Sequence, residues 1–360
     1  MESKKLRRYI LGIYLLLSLL GIIMVYSSTS IFSWHYYKDS EFFLKRQWVF
    51  FILGILSVFV CMVVNLEFLK KKSFFMLLGI IGMLGLVLFL GKEVGGAKRW
   101  FSLGSINFQP SEFAKVILVL YLCDYISRRK TSLLYPKGLI VPLGIIGIVA
   151  FLIFLEPDFG GAVFIVLVGM SLLFLGGMRI KYIIWLGSIS LIILLILAFS
   201  SDYRVKRLTA FLNPWKDARG AGYQLAQSQI ALGSGGIWGK GLGKGLQKHF
   251  YLPASHTDFI MAIIGEELGF VGTSMVLFLF LVMFILILRL TKNITDDFKN
   301  LLIWGYCLVI FYQVIINIGV VVGLLPTKGL PLPFVSYGGS SFIANSIMLG
   351  LIFNASKYEM

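Results

Sequence analysis

Charged residues are scarce in this chain. Of its 360 residues only 14% are Asp, Glu, Lys or Arg, whereas 58% are hydrophobic, and the mean hydropathy is +0.88. A soluble domain is normally about one quarter charged, so the composition excludes an ordinary soluble protein. The apolar residues form long uninterrupted runs, which differ from the alternating segments of a membrane β-barrel. The sequence therefore predicts an all-α polytopic membrane protein.

The chain also lacks the motifs of common cofactor sites. Its three cysteines show no CxxC spacing, which argues against a disulfide framework and a zinc site. The segment GSGGIWGKGLGKGLQK (233–248) is not a phosphate-binding loop, because Ser234 stands at the first glycine position and Gly241 follows Lys240. We interpret its glycines as allowing close backbone packing. No DxD motif occurs, and we predict no metal-ligating residues; assistance by a divalent cation, Mg²⁺ or Mn²⁺, stays open.

Ten apolar runs are long enough to be membrane-spanning helices. Ten spans place both termini on one side, and the short loops on that side are rich in Lys and Arg, as in KKLRR (4–8) and KKK (70–72). By the positive-inside rule this side is cytoplasmic. We predict one membrane domain over 1–360, with a large extracytoplasmic loop, about 201–258, between helices seven and eight. The predicted spans are 9–27, 48–66, 74–91, 112–127, 139–155, 160–177, 182–200, 259–288, 301–323 and 338–355.

The large loop is basic although it lies on the side that the positive-inside rule disfavours for cations. It includes Arg204 and Arg207, and its central part has a single acid, Asp217. Long loops cross the membrane largely regardless of charge, so these cations could simply be tolerated. The functional interpretation is that these cations create a positive electrostatic field, which attracts an anionic substrate such as a pyrophosphate lipid. Nucleic acid is not expected, because no base-stacking module is recognisable.

Ionisable residues also lie at the predicted outer ends of the spans, where they often mark a polar cavity. Glu112 and Lys115 are three residues apart on one helix face, which fits either a local ion pair or a cavity wall. Asp158, in EPDFGG, is predicted to cap the following helix. Arg99 and Trp100 fit an interfacial anchor as well as they fit a substrate contact.

The segment YLPASHTDFIMAIIGEELG (251–269) places four ionisable residues beside an apolar run. Asp258 begins span eight, where it could be a helix cap or a water-reachable carboxylate that accepts a proton from a hydroxyl. Glu266 and Glu267 follow eight and nine residues later, roughly 12 to 14 Å along a helix. They are therefore too distant to act with Asp258 through local geometry, and we interpret them as a separate structural pair near a break at Gly269.

Four motifs together resemble those of the SEDS family (shape, elongation, division and sporulation proteins). They are GAKRWFSLGSINFQPSEFAK (96–115), EPDFGGA (156–162), HTDFIMAIIGEELG (256–269) and GLLPTKGLPLPFVSYGGSS (323–341). With the ten-helix layout, the resemblance covers essentially the whole chain. Within the family the motifs are most similar to those of the division branch, FtsW, with the elongation branch, RodA, as the alternative; SpoVE also belongs to the family.

The resemblance implies a peptidoglycan glycosyltransferase that polymerises lipid II on the outer face of the bacterial cytoplasmic membrane, at the division septum. It implies Asp258 as the catalytic base, undecaprenyl pyrophosphate as the leaving group, and inversion at the sugar carbon. Expected partners are the lipid-linked glycan, a class B penicillin-binding protein (a transpeptidase) and other divisome proteins. The expected substrate-binding residues are Arg99, Trp100, Glu112, Lys115, Arg204, Arg207, His256, Thr257, Lys328, Ser336 and Tyr337.

Two other classes of function compete with a polymerase. A transporter that flips lipid II would also use a charged cavity at membrane depth, although the polar residues here concentrate on the outer side. A non-catalytic divisome scaffold would need no proton acceptor at Asp258. Polymer formation from lipid II already present in the outer leaflet separates the polymerase from both.

Overall fold

The computed structural model describes residues 2–94, 96–104, 106–199, 205, 209–292 and 294–357. Arg204 and Arg207, predicted to meet the substrate, lie outside the described residues. Within these ranges the chain is mostly helical, as the sequence predicts. A helix covers most of each of the ten predicted spans: α1 (Glu2–Tyr37), α2 (Phe42–Val63), α3 (Leu66–Leu90), α4 (Pro110–Arg128), α5 (Pro136–Leu155), α6 (Phe159–Leu175), α7 (Ile180–Phe199), α9 (Ile260–Thr291), α10 (Asp297–Val321) and α11 (Gly339–Ala355).

Six of these helices are by length and composition capable of crossing a membrane, namely α1, α2, α3, α5, α9 and α10. Their outward faces remain apolar, with exposed Phe59, Phe75 and Phe278 as examples. Large exposed apolar faces on helices this long suit contact with lipid. The chain is thus a polytopic membrane protein.

The helices pack around α4, α10 and α11, which have the largest buried fractions. α3 and α6 contact α4, and α11 packs against α2. α4 buries polar groups as well as apolar ones, including Glu112, Lys115 and Asp124. A central helix of this kind brings charged side chains at both of its ends into the interior of the bundle.

The prediction of an all-α chain is wrong between α3 and α4. This segment forms a small antiparallel sheet of β1 (Lys92–Val94), β2 (Ala97–Leu103) and β3 (Ile106–Phe108), in the order β1-β2-β3. The pairing places Lys92 opposite Trp100 and Phe101 opposite Phe108. Strands of three to seven residues are much shorter than the apolar runs of about twenty residues that indicate membrane spans. The segment is therefore expected to be a loop from its sequence.

The large loop between α7 and α9 also contains regular structure that the sequence analysis did not assign. A short 3₁₀ helix (Pro214–Asp217) precedes α8 (Tyr223–Gly235). α8 packs on α9 and α10, and the Ser228 hydroxyl donates to the carbonyl of Val321 at 2.9 Å. The loop is therefore attached to the helices beneath it along α8.

The glycine-rich loop, residues 236–248, packs its backbone directly on a break in α9. Gly269 interrupts α9 with φ 69°, and the N–H groups of Phe270 and Lys240 donate across the contact to Gly236 and Glu266 carbonyls at 2.9 and 3.0 Å. A Cβ at Gly239 would lie 2.2 Å from the carbonyl oxygen of Glu267. The predicted close backbone packing is confirmed, because only glycine fits at this distance.

Candidate active site

Asp258 lies in the last turn before α9, where it lines a cavity of about 340 Å³. Phe259, not Asp258, occupies the N-cap position of α9, and no side chain within the described ranges caps that helix. The carboxylate of Asp258 has no hydrogen-bond partner among the described residues, although the side chain is half-buried. A helix-capping role does not account for Asp258, and its carboxylate is free to meet a ligand in the cavity.

The backbone around Asp258 is held by the loop between α10 and α11. The Asn317 side chain donates to the carbonyls of Asp258 and Leu330, both at 2.8 Å. The Ser336 hydroxyl donates to the Thr257 carbonyl at 2.5 Å and accepts from the N–H of Leu332 at 2.9 Å. Since Asn317 is fully buried within α10, these bonds fix the position of the Asp258 backbone relative to a core helix.

His256 lies on the side of this segment away from the cavity. Its ring packs against Phe43 at 5.2 Å, Tyr337 at 5.8 Å and Phe32 at 6.3 Å between centroids. Burial lowers the pKa of His256 to about 4, so the imidazole is neutral at physiological pH. The residue stabilises the segment by aromatic packing, and its carbonyl accepts a hydrogen bond from the N–H of Tyr337 at 2.9 Å.

Arg99 on β2 is held at the rim of the cavity by two backbone carbonyls. Its Nε donates to Glu156 at 2.9 Å and its Nη2 donates to Pro157 at 2.5 Å. Trp100 and Arg46 line the same cavity. The sheet between α3 and α4 thus positions a guanidinium and an indole that the sequence analysis assigned to this site, next to an arginine from α2 that it missed.

Burial and the charges of Asp158 and Arg99 determine the electrostatics at Asp258. Burial, reinforced by the negative charge of Asp158, raises the pKa of Asp258 to about 7, and Arg99 opposes the increase. Burial and the charge of Asp158 also raise the pKa of Glu156 to about 8, and Arg99 again opposes the increase. Neither Glu156 oxygen has a hydrogen-bond partner among the described residues, and the side chain is fully buried. A pKa near 7 suits a general base at physiological pH.

Asp158 is the predicted N-cap of α6 and also lines the cavity. Its Oδ1 accepts from the N–H of Gly161 at 2.9 Å, which confirms the cap. Lys328 lies nearby; burial lowers the pKa of its ammonium, and the charge of Asp158 partly offsets that effect. Asp158 therefore caps α6 with one carboxylate oxygen, and its negative charge raises the pKa values of Asp258 and Lys328.

Glu112 and Lys115 form a buried ion pair in an adjoining recess. Lys115 Nζ donates to Glu112 Oε1 at 2.7 Å, and both side chains are less than one tenth exposed. The recess, of about 40 Å³, shares Gln109, Asp158 and Gly329 with the larger cavity. Both alternatives left open by the sequence hold: the residues pair locally, and they line a polar space.

Glu266 and Glu267 are turned away from this cavity and bind the glycine-rich loop. Glu266 accepts from Lys240 Nζ and from two loop N–H groups at 2.8 to 3.1 Å. Glu267 accepts from Ser27 and Lys248 at 2.7 to 2.8 Å and from the N–H of Gly243 at 3.0 Å. The pair is structural in this geometry, as its spacing from Asp258 indicated.

Of the residues expected to act at the site, seven line the cavity or its recess, whereas Lys328 lies near Asp158 and lines neither. Arg99, Trp100, Thr257, Asp258 and Tyr337 line the larger cavity, and Glu112 with Lys115 lines its recess. His256 and Ser336 support the Asp258 segment from behind. Five further polar residues that line the cavity were not predicted: Arg46, Asn107, Gln109, Ser340 and Ser341. All except Arg46 lie inside the motifs 96–115 and 323–341, which is the signal that could have indicated them; Arg46 lies outside every motif.

No group of three or more His, Cys, Asp or Glu side chains that could hold a metal ion occurs within the described parts of the chain. Two carboxylates, Asp158 and Asp258, line the cavity together. Magnesium is commonly held by one or two protein carboxylates together with substrate phosphates. The residues therefore fit a divalent cation only in company with a phosphate-bearing ligand.

Fold and site define a membrane protein with a carboxyl group of raised pKa in a polar cavity at one end of its helices. The family model of cell cycle proteins FtsW, RodA and SpoVE matches residues 7–360. The chain belongs to this family, which confirms the resemblance in the motifs. It is 38% identical over 350 residues (96% of this chain, 95% of the relative) to the probable peptidoglycan glycosyltransferase FtsW of Geobacter sp. strain M18.

Other relatives and solved structures agree. The chain is 41% identical to the probable peptidoglycan glycosyltransferase FtsW of Coxiella burnetii (92% of this chain, 91% of the relative) and 38% identical to stage V sporulation protein E of Bacillus subtilis (96% of each). Among solved structures, a chain of a peptidoglycan synthase complex superposes with TM-score 0.80, and the rod-shape-determining protein RodA of Thermus thermophilus with 0.71. Both are 26% identical; the first covers 96% of both chains, the second 96% of this chain and 95% of RodA.

Proposed function

We propose that this protein is a peptidoglycan glycosyltransferase that polymerises lipid II at the division septum. The observation that carries the proposal is the Asp258 carboxylate, which lines a polar cavity beside Arg46 and Arg99 and lacks a partner among the described side chains. The names of the relatives, which include probable peptidoglycan glycosyltransferases, support the same activity. The division role rests on the FtsW names, and elongation is the alternative because RodA shares the fold.

Asp258 would act as general base on the acceptor sugar. Its carboxylate takes the proton of the 4-hydroxyl of lipid II, and that oxygen forms a bond to the anomeric carbon of the growing glycan. The bond from this carbon to undecaprenyl pyrophosphate breaks, the pyrophosphate keeps the electron pair, and the configuration inverts. A carboxyl group with a pKa of about 7 is present in both its ionised and its protonated form at neutral pH. Asp258 can therefore accept this proton and later lose it.

Cations at the cavity would stabilise the leaving pyrophosphate. Arg46 and Arg99 line the cavity itself, and Lys115 lies in the recess behind Asp158. Preorganised charges of this kind act where negative charge develops in the transition state. Glu112 would orient Lys115 through their 2.7 Å contact, and a divalent cation would add to the positive charge when bound with the diphosphate.

The proposal places the cavity on the outer face of the cytoplasmic membrane, with ten spans and both termini inside. The basic segments 4–8 and 70–72 lie at the opposite end of the helices from Asp258, as the positive-inside rule requires. A class B penicillin-binding protein is the proposed partner, supported by the similarity to a chain of a peptidoglycan synthase complex. Other divisome proteins are expected to bind as well.

The path through α4 favours a polymerase over a lipid II transporter. Below the recess at Lys115, α4 continues through Leu118, Val119 and Leu122, which are fully buried among apolar neighbours. A charged headgroup crossing here would lose its hydration without polar partners, at a cost of several kcal/mol. The cavity is therefore suited to chemistry at one face of the membrane.

Reconstitution tests the function directly. The purified protein, with and without a class B penicillin-binding protein and with and without chelator, is given lipid II in detergent, and glycan chains are resolved by gel electrophoresis. We expect polymer with the partner present, and a loss on chelation if a cation takes part. Absence of polymer in every arm, together with movement of labelled lipid II across proteoliposome membranes, would establish the transporter instead.

A further inference from the structure

A second cavity, of about 620 Å³, lies at the other end of α4 from Asp258. The two sites are separated along α4 by the stretch from Lys115 to Asp124, about 14 Å of helix. The first turns of α3 and the last turns of α4 form its walls, and Val141 of α5 closes one side. None of the residues that line this cavity also lines the cavity at Asp258.

The second cavity has an excess of positive charge. Its two acids are already engaged: Asp124 accepts from Arg128 and from the Ser73 hydroxyl, and Glu67 pairs with Lys70 at 3.8 Å. The other two cations, Lys71 and Arg129, have no ion-pair partner among the described residues, and the Arg129 guanidinium lies 5.3 Å from the Tyr125 ring centroid. Two unneutralised cations around a recess favour an anionic occupant.

Buried groups hold the walls of this cavity in place. Asp124 is 2% exposed, and the hydroxyl of the buried Tyr125 donates to the Gly138 carbonyl at 3.1 Å, which ties α4 to α5. The adjacent buried Tyr121 also lines the cavity, and its hydroxyl has no hydrogen-bond partner within the described ranges. The site thus offers a free hydroxyl beside two free cations in a rigid frame.

Exposed apolar side chains continue from the cavity along the neighbouring helices. Phe74, which lines the cavity, is 48% exposed, and Phe75 and Leu78 extend the same apolar surface along α3. Val141 and Ile140 do the same on α5. Basic groups at helix ends with apolar surface directly beyond them match a ligand that has an anionic head and hydrocarbon chains.

We propose that this cavity binds the phosphate diester headgroup of an anionic glycerophospholipid. Lys71, Arg129 and the Tyr121 hydroxyl contact the phosphate, while the acyl chains lie against Phe74 and Val141. Scattered basic residues at helix ends would satisfy the positive-inside rule alone; a recess with free cations, a free hydroxyl and an adjoining apolar surface goes beyond that rule. The inference does not depend on the polymerase function.

Native mass spectrometry of the full chain in detergent, titrated with phosphatidylglycerol or phosphatidylcholine, tests the proposal. The variant Lys71→Gln/Arg129→Gln removes the two free cations and leaves the ion pairs intact. The matched control Lys72→Gln/Lys137→Gln removes the same charge from exposed residues near the same helix ends that do not line the cavity. At about 1 kcal/mol for each cation, we expect the Kd for phosphatidylglycerol to rise about 30-fold in the first variant only.

A titration with phosphatidylcholine and competition with soluble phosphates show whether the bound phosphate belongs to a lipid. Phosphatidylcholine should bind the unmodified protein more weakly than phosphatidylglycerol, and inorganic phosphate or glycerol phosphate should not displace the bound lipid. Equal weakening in both double variants, or weakening in neither, would overturn the proposal. Displacement by the soluble phosphates would overturn the lipid assignment. The single variant Arg129→Gln, expected to weaken binding about fivefold, provides the test if the double variant does not fold.

Discussion

The rate of polymerisation should follow the ionisation of Asp258. Because burial and the charge of Asp158 raise the pKa of this carboxyl to about 7, the base form makes up about one tenth of the population at pH 6 and about nine tenths at pH 8. We therefore predict that kcat/KM falls roughly tenfold between pH 8 and pH 6. Initial rates of lipid II polymerisation, measured at fixed ionic strength, give the profile.

Two charge variants should move the acid limb of this profile in opposite directions. Asp158→Asn removes a negative charge that raises the pKa of Asp258, so the limb should shift to lower pH; asparagine still caps α6. Arg99→Gln removes a positive charge that lowers the pKa of Asp258, so the limb should shift to higher pH. Glu156→Gln is the control, because it removes the other carboxyl with a raised pKa.

Opposite shifts with an unchanged profile in Glu156→Gln would support Asp258 as the titrating base. Shifts in the same direction, or none, would refute the electrostatic account. If the limb disappeared in Glu156→Gln, the titrating group would be Glu156 and the proposed role of Asp258 would lose its main physical support. Melting temperatures of all three variants confirm that the profiles are compared among folded proteins.

Three further predictions concern the buried ion pair, the glycine-rich loop and the packing against Asp258. Lys115→Met leaves Glu112 buried and unpaired and should cost about 3 to 5 kcal/mol in thermal unfolding, whereas Glu112→Gln/Lys115→Met should cost clearly less; equal costs would contradict a buried ion pair. Glu267→Gln removes one of the two carboxylate charges that bind the glycine-rich loop, so limited proteolysis should cut that loop first, and unchanged resistance would contradict the assigned contacts. Gly329→Ala would place a Cβ 3.3 Å from Asp258 Oδ2 and should lower kcat roughly tenfold with little change in melting temperature; an unchanged kcat would exclude such tight packing.

The helices could be predicted from the sequence because membrane spans have a strong and simple signal. Each apolar run is long, and lipid admits backbone only in a form that satisfies its own hydrogen bonds. The small sheet before α4 and helix α8 lie outside that constraint. These elements are short, their residues are mixed in polarity, and contacts with α3, α9 and α10 stabilise them. Their structure therefore depends on tertiary packing, which a local sequence pattern does not reveal.

The site could be predicted in part. Asp258, Arg99 and Trp100 belong to recognisable motifs, and the structure brings them to one cavity although they lie far apart in the chain. Arg46 was missed because a basic residue at the end of a span is ordinary until folding places it beside Asp258. His256 lies only two residues before Asp258, yet its ring packs into an aromatic cluster with Phe43 and Tyr337.

Replacement of Asp258 tests the central claim most directly. Asp258→Asn keeps the shape of the side chain and removes the proton acceptor, and Asp258→Ala removes the side chain. Both purified variants should bind lipid II, and both should polymerise it at least about a hundredfold more slowly than the unmodified protein at pH 8. Glycan chains of near-normal yield and length from both variants would contradict the assignment of Asp258 as the catalytic base.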